Sequence, residues 1–176
     1  KVFLLGLLGA ALIFVPYMII GDGYFTFYGD FNVQQIPFYQ LCHNAIRNGE
    51  LGWSFTTDLG ANFIGSYAFY TITSPFFWLT IPFPEAWLPY MMPFLMALKC
   101  GTASVTAYAW IRTQTRTDRA AVLGAYLYAF SGFQACNIVF QHFHDATAFF
   151  PLYLLSFDRA VQKHGTTEFT LMTALM

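Results

Sequence analysis

Long apolar runs alternate with short polar stretches along the chain. From Val2 to Ile20 about nineteen residues pass without a charge, the number a helix needs to cross ~30 Å of hydrocarbon, and this predicts a first span at about 2–20. A signal peptide would have a shorter apolar core ending in a small-x-small cleavage site. Gly21-Asp22-Gly23-Tyr24 offers none, so the run reads as a retained anchor. Further apolar runs predict spans at about 91–111, 120–139 and 146–161, the last short enough to require tilt or shielding. The start of another is expected at 169.

Between the first two spans the pattern changes. Residues 21–62 are polar and acidic, with Asp22, Asp30, Glu50 and Asp58 against a single Arg47. Pro37 suits a first helical turn, and Phe38, Leu41, Cys42, Ala45 and Ile46 follow at the spacing of one apolar stripe. Asn48-Gly49 then ends the pattern. Gln40, His43, Asn44 and Arg47 take the other face, which predicts a helix at 37–48 lying on the membrane surface.

The run 63–81 is apolar enough to cross but is interrupted by Gly65 and Ser74-Pro75 and followed by Pro82 and Pro84. Charge asymmetry decides its expected course. Arg112, Arg116 and Arg119 share one short loop and Arg159 and Lys163 another, which assigns both loops to the cytoplasm. Lys1 and the loop at 112–119 then share a side, so 63–81 should be re-entrant or interfacial. Asp22, Asp30, Glu50, Asp58, Glu85 and Asp145 fall on the outer face.

The chain has 176 residues, 57% hydrophobic, 20% aromatic and 10% charged, far below the roughly 25% charge of soluble domains. This places it in a bilayer as an all-α, polytopic helical membrane protein. Its formal net charge of −1 gives no global field for nucleic acid, and no nucleic-acid motif appears. Cys42, Cys100 and Cys136 have no C-x-x-C spacing and read as small apolar fillers. The opening on Lys1 and the end at Met176 within an apolar run suggest one transmembrane domain, 1–176, of a longer protein.

Candidate chemistry follows from polar residues set against this background. Asp30 precedes Gln34 by four positions, which puts both on one side of a helix; alternatively Asp30 caps a turn after Gly29. Gln141-His142-Phe143-His144-Asp145 gathers titratable groups at the mouth of two expected spans, as a metal site, a proton relay or a loop facing water. Lys99 stands mid-span, where a charge costs at least ~2.5–3.5 kcal/mol. It would pair with a carboxylate in the bundle, meet a lipid phosphate, or snorkel. The aromatics Tyr67, Phe69, Tyr70, Phe76, Phe77 and Trp78 read as belt and packing residues. No phosphate loop, G-x-S-x-G elbow or H-E-x-x-H is present.

Gly29-Asp30 with Gln34 and Pro37-Phe38, then Trp53-Ser54-Phe55, Leu59-Gly60, Tyr67, Tyr70 and Ser74-Pro75, resembles the bacterial YfhO-type membrane proteins, as does Phe150-Pro151-Leu152 followed by Asp158-Arg159. The resemblance implies a glycosyltransferase of the GT-C class in the bacterial plasma membrane: a transmembrane helical bundle with an acidic first outer loop and interfacial helices. Such enzymes take sugar from a polyprenyl-phosphate donor and pass it, outside the membrane, to a cell-envelope polymer such as lipoteichoic acid. On that basis Asp30 is the first-loop carboxylate, serving as base or as ligand of a divalent cation, and Gln34 orients it. Asp145 is the candidate second acid. Gln34, Arg47, Lys99 and His144 are the substrate-binding candidates, with Arg47 and Lys99 the cations for the leaving phosphate. A transporter or channel-like subunit and a non-catalytic scaffold of envelope assembly are the other classes; transport would place charge along the spans, whereas most charge here sits in loops.

Overall fold

The structure is a computed structural model that describes residues 1–25, 28–162 and 165–176. It is an all-α membrane protein with almost no strand. Among the described residues three helical stretches are long and apolar enough to cross a membrane: Val2–Ile20, Glu85–Gln114 and Asp118–Phe140.

Helix α1 is Val2–Ile20. A single π-turn, Phe31–Gln35, leads without a break into α2, Ile36–Asn48, which ends at Gly49 in the left-handed conformation (φ 75°), where a side chain would strain the backbone. Strands β1, Trp53–Ser54, and β2, Ala61–Asn62, pair antiparallel, and their connection passes through Asp58 and Leu59 at positive φ before Gly60. The stretch 63–81 forms only short pieces: α3, Phe63–Tyr67, a 3₁₀ turn at Ala68–Tyr70, and α4, Pro75–Trp78. The Asn62 and Ser74 side chains cap α3 and α4 by accepting from Gly65 N and Phe77 N.

A 3₁₀ turn, Glu85–Trp87, opens the long helix α5, Leu88–Gln114. Helix α6, Asp118–Ala129, is capped by Thr117 and stops before Ser131-Gly132. The chain resumes as α7, Gly132–Cys136, and a 3₁₀ turn at Asn137–Phe140. Helices α8, Phe143–Val161, and α9, Thr167–Leu175, complete the order. Lys163, expected to pair with Arg159 in marking a cytoplasmic loop, lies outside the described residues.

The chain divides into two compact units. One comprises Lys1–Ile13, Met96–Asn137 and Phe143–Met176; the other comprises Phe14–Leu95 and Ile138–His142. The first is built on small residues. A Cβ on Gly6 would come within 2.9 Å of Gly101 Cα and 2.6 Å of Ser104 Oγ, and one on Gly9 would run into the Tyr126 hydroxyl, so α1 meets α5 and α6 at glycines. Ala103, Ala107, Ala121, Ala125, Ala129 and Ala148 are buried, the composition expected where helices approach closely in lipid. Polar ties join the helices: Thr106 donates to the Ala148 carbonyl at 2.7 Å, and Trp110 Nε1 and Gln114 Nε2 both donate to Asp158 at 2.9 Å. Helix α9 folds back on α8 through Phe169, whose ring meets Tyr153 and Phe157, and through Arg159 donating to Glu168 at 2.8 Å.

The second unit is aromatic. Phe14, Phe25 and Phe31 meet edge to face at 5.0 and 5.4 Å, and Tyr39 meets Phe77 at 5.1 Å, each such pair adding about 0.5–1.5 kcal/mol to the area buried. Helix α2 corrects its expected orientation. His43, assigned to the polar face, is buried and donates through Nε2 to the Phe83 carbonyl at 2.9 Å. Chain covers α2 on more than one flank, with Phe38 against Tyr67 and Tyr70, Tyr39 against Phe77, and Arg47 also donating to Phe83 O at 3.2 Å. A single stripe of apolar residues therefore does not describe its buried surface.

Candidate functional site

Asp30 stands one residue before the π-turn, half-buried. Its side chain makes no capping bond, and among the described residues it holds no hydrogen bond or ion pair. The capping reading is thereby replaced by a free carboxylate. Gln34 does not hold it: Gln34 Oε1 accepts instead from Gln35 Nε2 at 3.1 Å. The π-turn closes i→i+5 bonds, with Ile36 N–H donating to Phe31 O, and this wider winding departs from the α-helical i, i+4 register on which the Asp30–Gln34 pairing rested. Single π-turns within helices occur frequently at functional sites.

Beyond Gln34 the polar chain continues. Gln35 is buried, and its Oε1 accepts from His142 Nδ1 at 3.2 Å. The His142 ring is enclosed edge-on by Tyr70 at 4.8 Å and Phe69 at 5.1 Å. Sequence reasoning chose Gln34 and His144, whereas the relay runs Gln34–Gln35–His142. The signal available was the Gln34-Gln35 pair itself, in which only one residue can face inward.

Arg47 lies at the far end of α2. Residues 31–48 form one continuous helical stretch, so at ~1.5 Å per residue the Cα atoms of Asp30 and Arg47 stand roughly 25 Å apart. Both cannot touch one sugar phosphate.

Lys99 and Asp145 belong to the other unit. Lys99 is buried and donates to Asp145 Oδ2 at 2.8 Å, so the pairing alternative describes it. The run Gln141–Asp145 is not a water-facing loop, since Gln141, His142 and His144 are buried and Asp145 sits in the first turn of α8, where a carboxylate favours the helix dipole. His144 Nε2 donates to the Gln134 carbonyl at 3.0 Å. Among the described residues no three His, Cys, Asp or Glu side chains gather. The zinc reading of this run therefore has no three-ligand set among the described residues.

Two groups near α2 are tuned by their surroundings. Burial pushes the Tyr67 hydroxyl up to about 12, and the Asp58 carboxylate, which accepts its proton, adds to the rise. Burial pushes the Cys42 thiol up to about 11, against a smaller lowering by a hydrogen bond with Thr71. A thiol so placed is an inert packing group.

No curated protein and no solved structure matches the chain. The family model for the bacterial membrane protein YfhO matches residues 2–176. With the spanning helices and the acidic segment between the first two of them, that match over nearly the whole chain makes it a member of the YfhO family of bacterial membrane proteins.

Proposed function

We propose that the chain is part of a membrane glycosyltransferase of the GT-C class, multi-pass in the plasma membrane, which moves a sugar from a polyprenyl-phosphate donor to a cell-envelope acceptor on the outer face. The observation that carries this reading is Asp30: a carboxylate in the segment joining two spanning helices, half-buried and unengaged among the described residues. A base must take the proton of an acceptor hydroxyl as that oxygen attacks the anomeric carbon. Asp58 is engaged by Tyr67 and Asp145 by Lys99, and neither can act as base without giving up its partner. Gln34, Gln35 and His142 would set the wall beside Asp30. Lys99 serves the bundle as counter-ion to Asp145 in this scheme, and Arg47, at the far end of α2, stands away from the bond that breaks.

Asp30→Asn removes the base and keeps the shape. Transfer in the full-length protein should fall by about 10²–10⁴-fold, the usual worth of a positioned base, at an unchanged membrane level. Retained transfer would end the assignment. The Lys99–Asp145 pair favours a second reading as a transporter subunit, since ionisable groups inside spans mark ion paths. In proteoliposomes that reading requires an ion flux lost in Lys99→Met and kept in Asp30→Asn.

A further inference from the structure

The hairpin formed by β1 and β2 carries three large apolar side chains that the fold leaves uncovered. Phe55 is 86% exposed, Trp53 60%, and Leu59 wholly exposed. Leu59 also holds a left-handed backbone (φ 63°), a conformation unfavourable for a residue with a Cβ. No burial within the fold offsets that cost.

The polar groups of the hairpin are closed on themselves. Ser54 Oγ stands 2.9 Å from Thr57 Oγ1 and 3.3 Å from Thr56 Oγ1, the Asn62 amide oxygen accepts from Gly65 N at 2.8 Å, and Asp58, the one charged residue, accepts from the Tyr67 hydroxyl. Backbone groups are joined too: Gly60 N–H donates to the Thr57 carbonyl and Phe63 N–H to that of Gly52, each at 2.9 Å, around the Trp53↔Asn62 and Ser54↔Ala61 pairs. A sugar or a polar peptide needs directional partners left open, whereas here they are turned on one another. An apolar phase requires the reverse, with polar groups satisfied internally and apolar ones facing outward.

Position identifies that phase. Among the described residues 21–84 no helix is long and apolar enough to cross, and the segment joins two that are, Val2–Ile20 and Glu85–Gln114, so both its ends are tethered to one face of the bilayer. Exposed Tyr17, Trp87 and Tyr90 stand at those helix ends, where such rings mark headgroup level. Arg47 donates to Phe83 O, and the Phe83 ring stacks on Trp87 at 5.8 Å, which brings the end of α2 to that level. The hairpin follows directly after the Gly49 turn.

We propose that the hairpin 53–62 dips into the interfacial layer of the bilayer that its flanking helices cross, with Phe55 and Leu59 among the upper acyl carbons and Trp53 among the headgroups. Through Asp58 it holds Tyr67, whose ring lies 4.9 Å from Phe38, so insertion pins the first turn of α2 to the membrane. This anchor is independent of Asp30 and of any transfer reaction.

The test places nitroxide labels on the full-length protein, in a background without reactive cysteines, at Phe55→Cys, Leu59→Cys and, as the water-facing reference, the exposed Glu50→Cys. Each is reconstituted into vesicles of phosphatidylcholine and phosphatidylglycerol. Spin relaxation by oxygen, which concentrates among acyl chains, and by a water-soluble nickel chelate then reads the depth. Labels at 55 and 59 should be more accessible to oxygen and several-fold less accessible to nickel than the label at 50. Adding Leu59→Asp to the protein labelled at 55 should restore nickel access several-fold, at an unchanged melting temperature because the position is exposed. Nickel access at 55 and 59 equal to that at 50 would put the hairpin in water, and shielding from both reagents would put it against protein. Either result, or undiminished protection at 55 in the Leu59→Asp variant, overturns the proposal.

Discussion

Lys99 Nζ lies 2.8 Å from Asp145 Oδ2, tying α5 to α8 with the lysine side chain wholly buried and the carboxylate 16% exposed. This contact accounts for a charge carried within a helix long enough to cross a membrane. Alone in hydrocarbon the ammonium would be costly; paired, it becomes a polar bolt between two helices. Both partners are needed, because the penalty returns in full to whichever is left behind.

Replacing one partner should therefore hurt more than replacing both. Lys99→Met and Asp145→Leu should each destabilise by about 3–5 kcal/mol by leaving an uncompensated charge, while the double variant should recover most of the loss. Thermal melts of the four proteins in detergent provide the cycle. Additive losses would show that the two side chains are not coupled.

The fold class was legible because a helix of uncharged residues long enough to span hydrocarbon is rarely stable anywhere else, and α2 is bounded where its sequence carries start and stop signals, Pro37 and Asn48-Gly49. The partner of Lys99 was not legible: Asp145 is 46 positions away, and nothing local distinguishes it from the other carboxylates assigned to the outer face. Burial of His43 was hidden because periodicity reports one face, whereas α2 is covered on several flanks. The break after Ala129 did carry a signal, Ser131-Gly132, which the apolar run 120–139 masked. For the candidate site, Asp30 stood out by composition, but the relay through Gln35 and His142 depends on a π-turn that no period predicts.

Close helix approach at glycine gives a second expectation. A methyl group on Gly101 would lie 2.8 Å from a Phe3 ring carbon, and one on Gly6 would lie 2.9 Å from the Gly101 backbone. Because that neighbour of Gly6 is backbone, it cannot rotate away. Gly6→Ala should destabilise by about 1–3 kcal/mol through overpacking, and Gly101→Ala by less, since the Phe3 ring can move. Equal melting temperatures for Gly6→Ala and the parent protein would contradict this packing.

The Gln35–His142 contact makes a third. Gln35→Leu keeps the approximate volume but removes an acceptor from a buried imidazole, at a cost of about 1–3 kcal/mol. If the relay also sets the wall beside Asp30, the same variant should slow transfer without abolishing it. A loss as deep as that of Asp30→Asn would move the reacting group to the relay itself.

The last expectation concerns alkaline pH and the Tyr67–Asp58 contact. In the unfolded chain a tyrosine loses its proton near ~10, whereas in the fold burial and the accepting carboxylate hold the Tyr67 proton up to about 12. Below pH ~10 both states keep the proton, and the contact contributes its full stabilisation. Between those two values the unfolded state binds fewer protons than the folded one, so stability falls as pH rises. Tyr67→Phe removes the titrating group, and Asp58→Asn removes the charge that raises it while leaving an acceptor. The parent protein should therefore lose melting temperature over this window, Tyr67→Phe should lose less, and Asp58→Asn should shift the onset of Tyr67 ionisation downward in ultraviolet difference titrations. The same slope in all three proteins would assign the alkaline loss to other tyrosines.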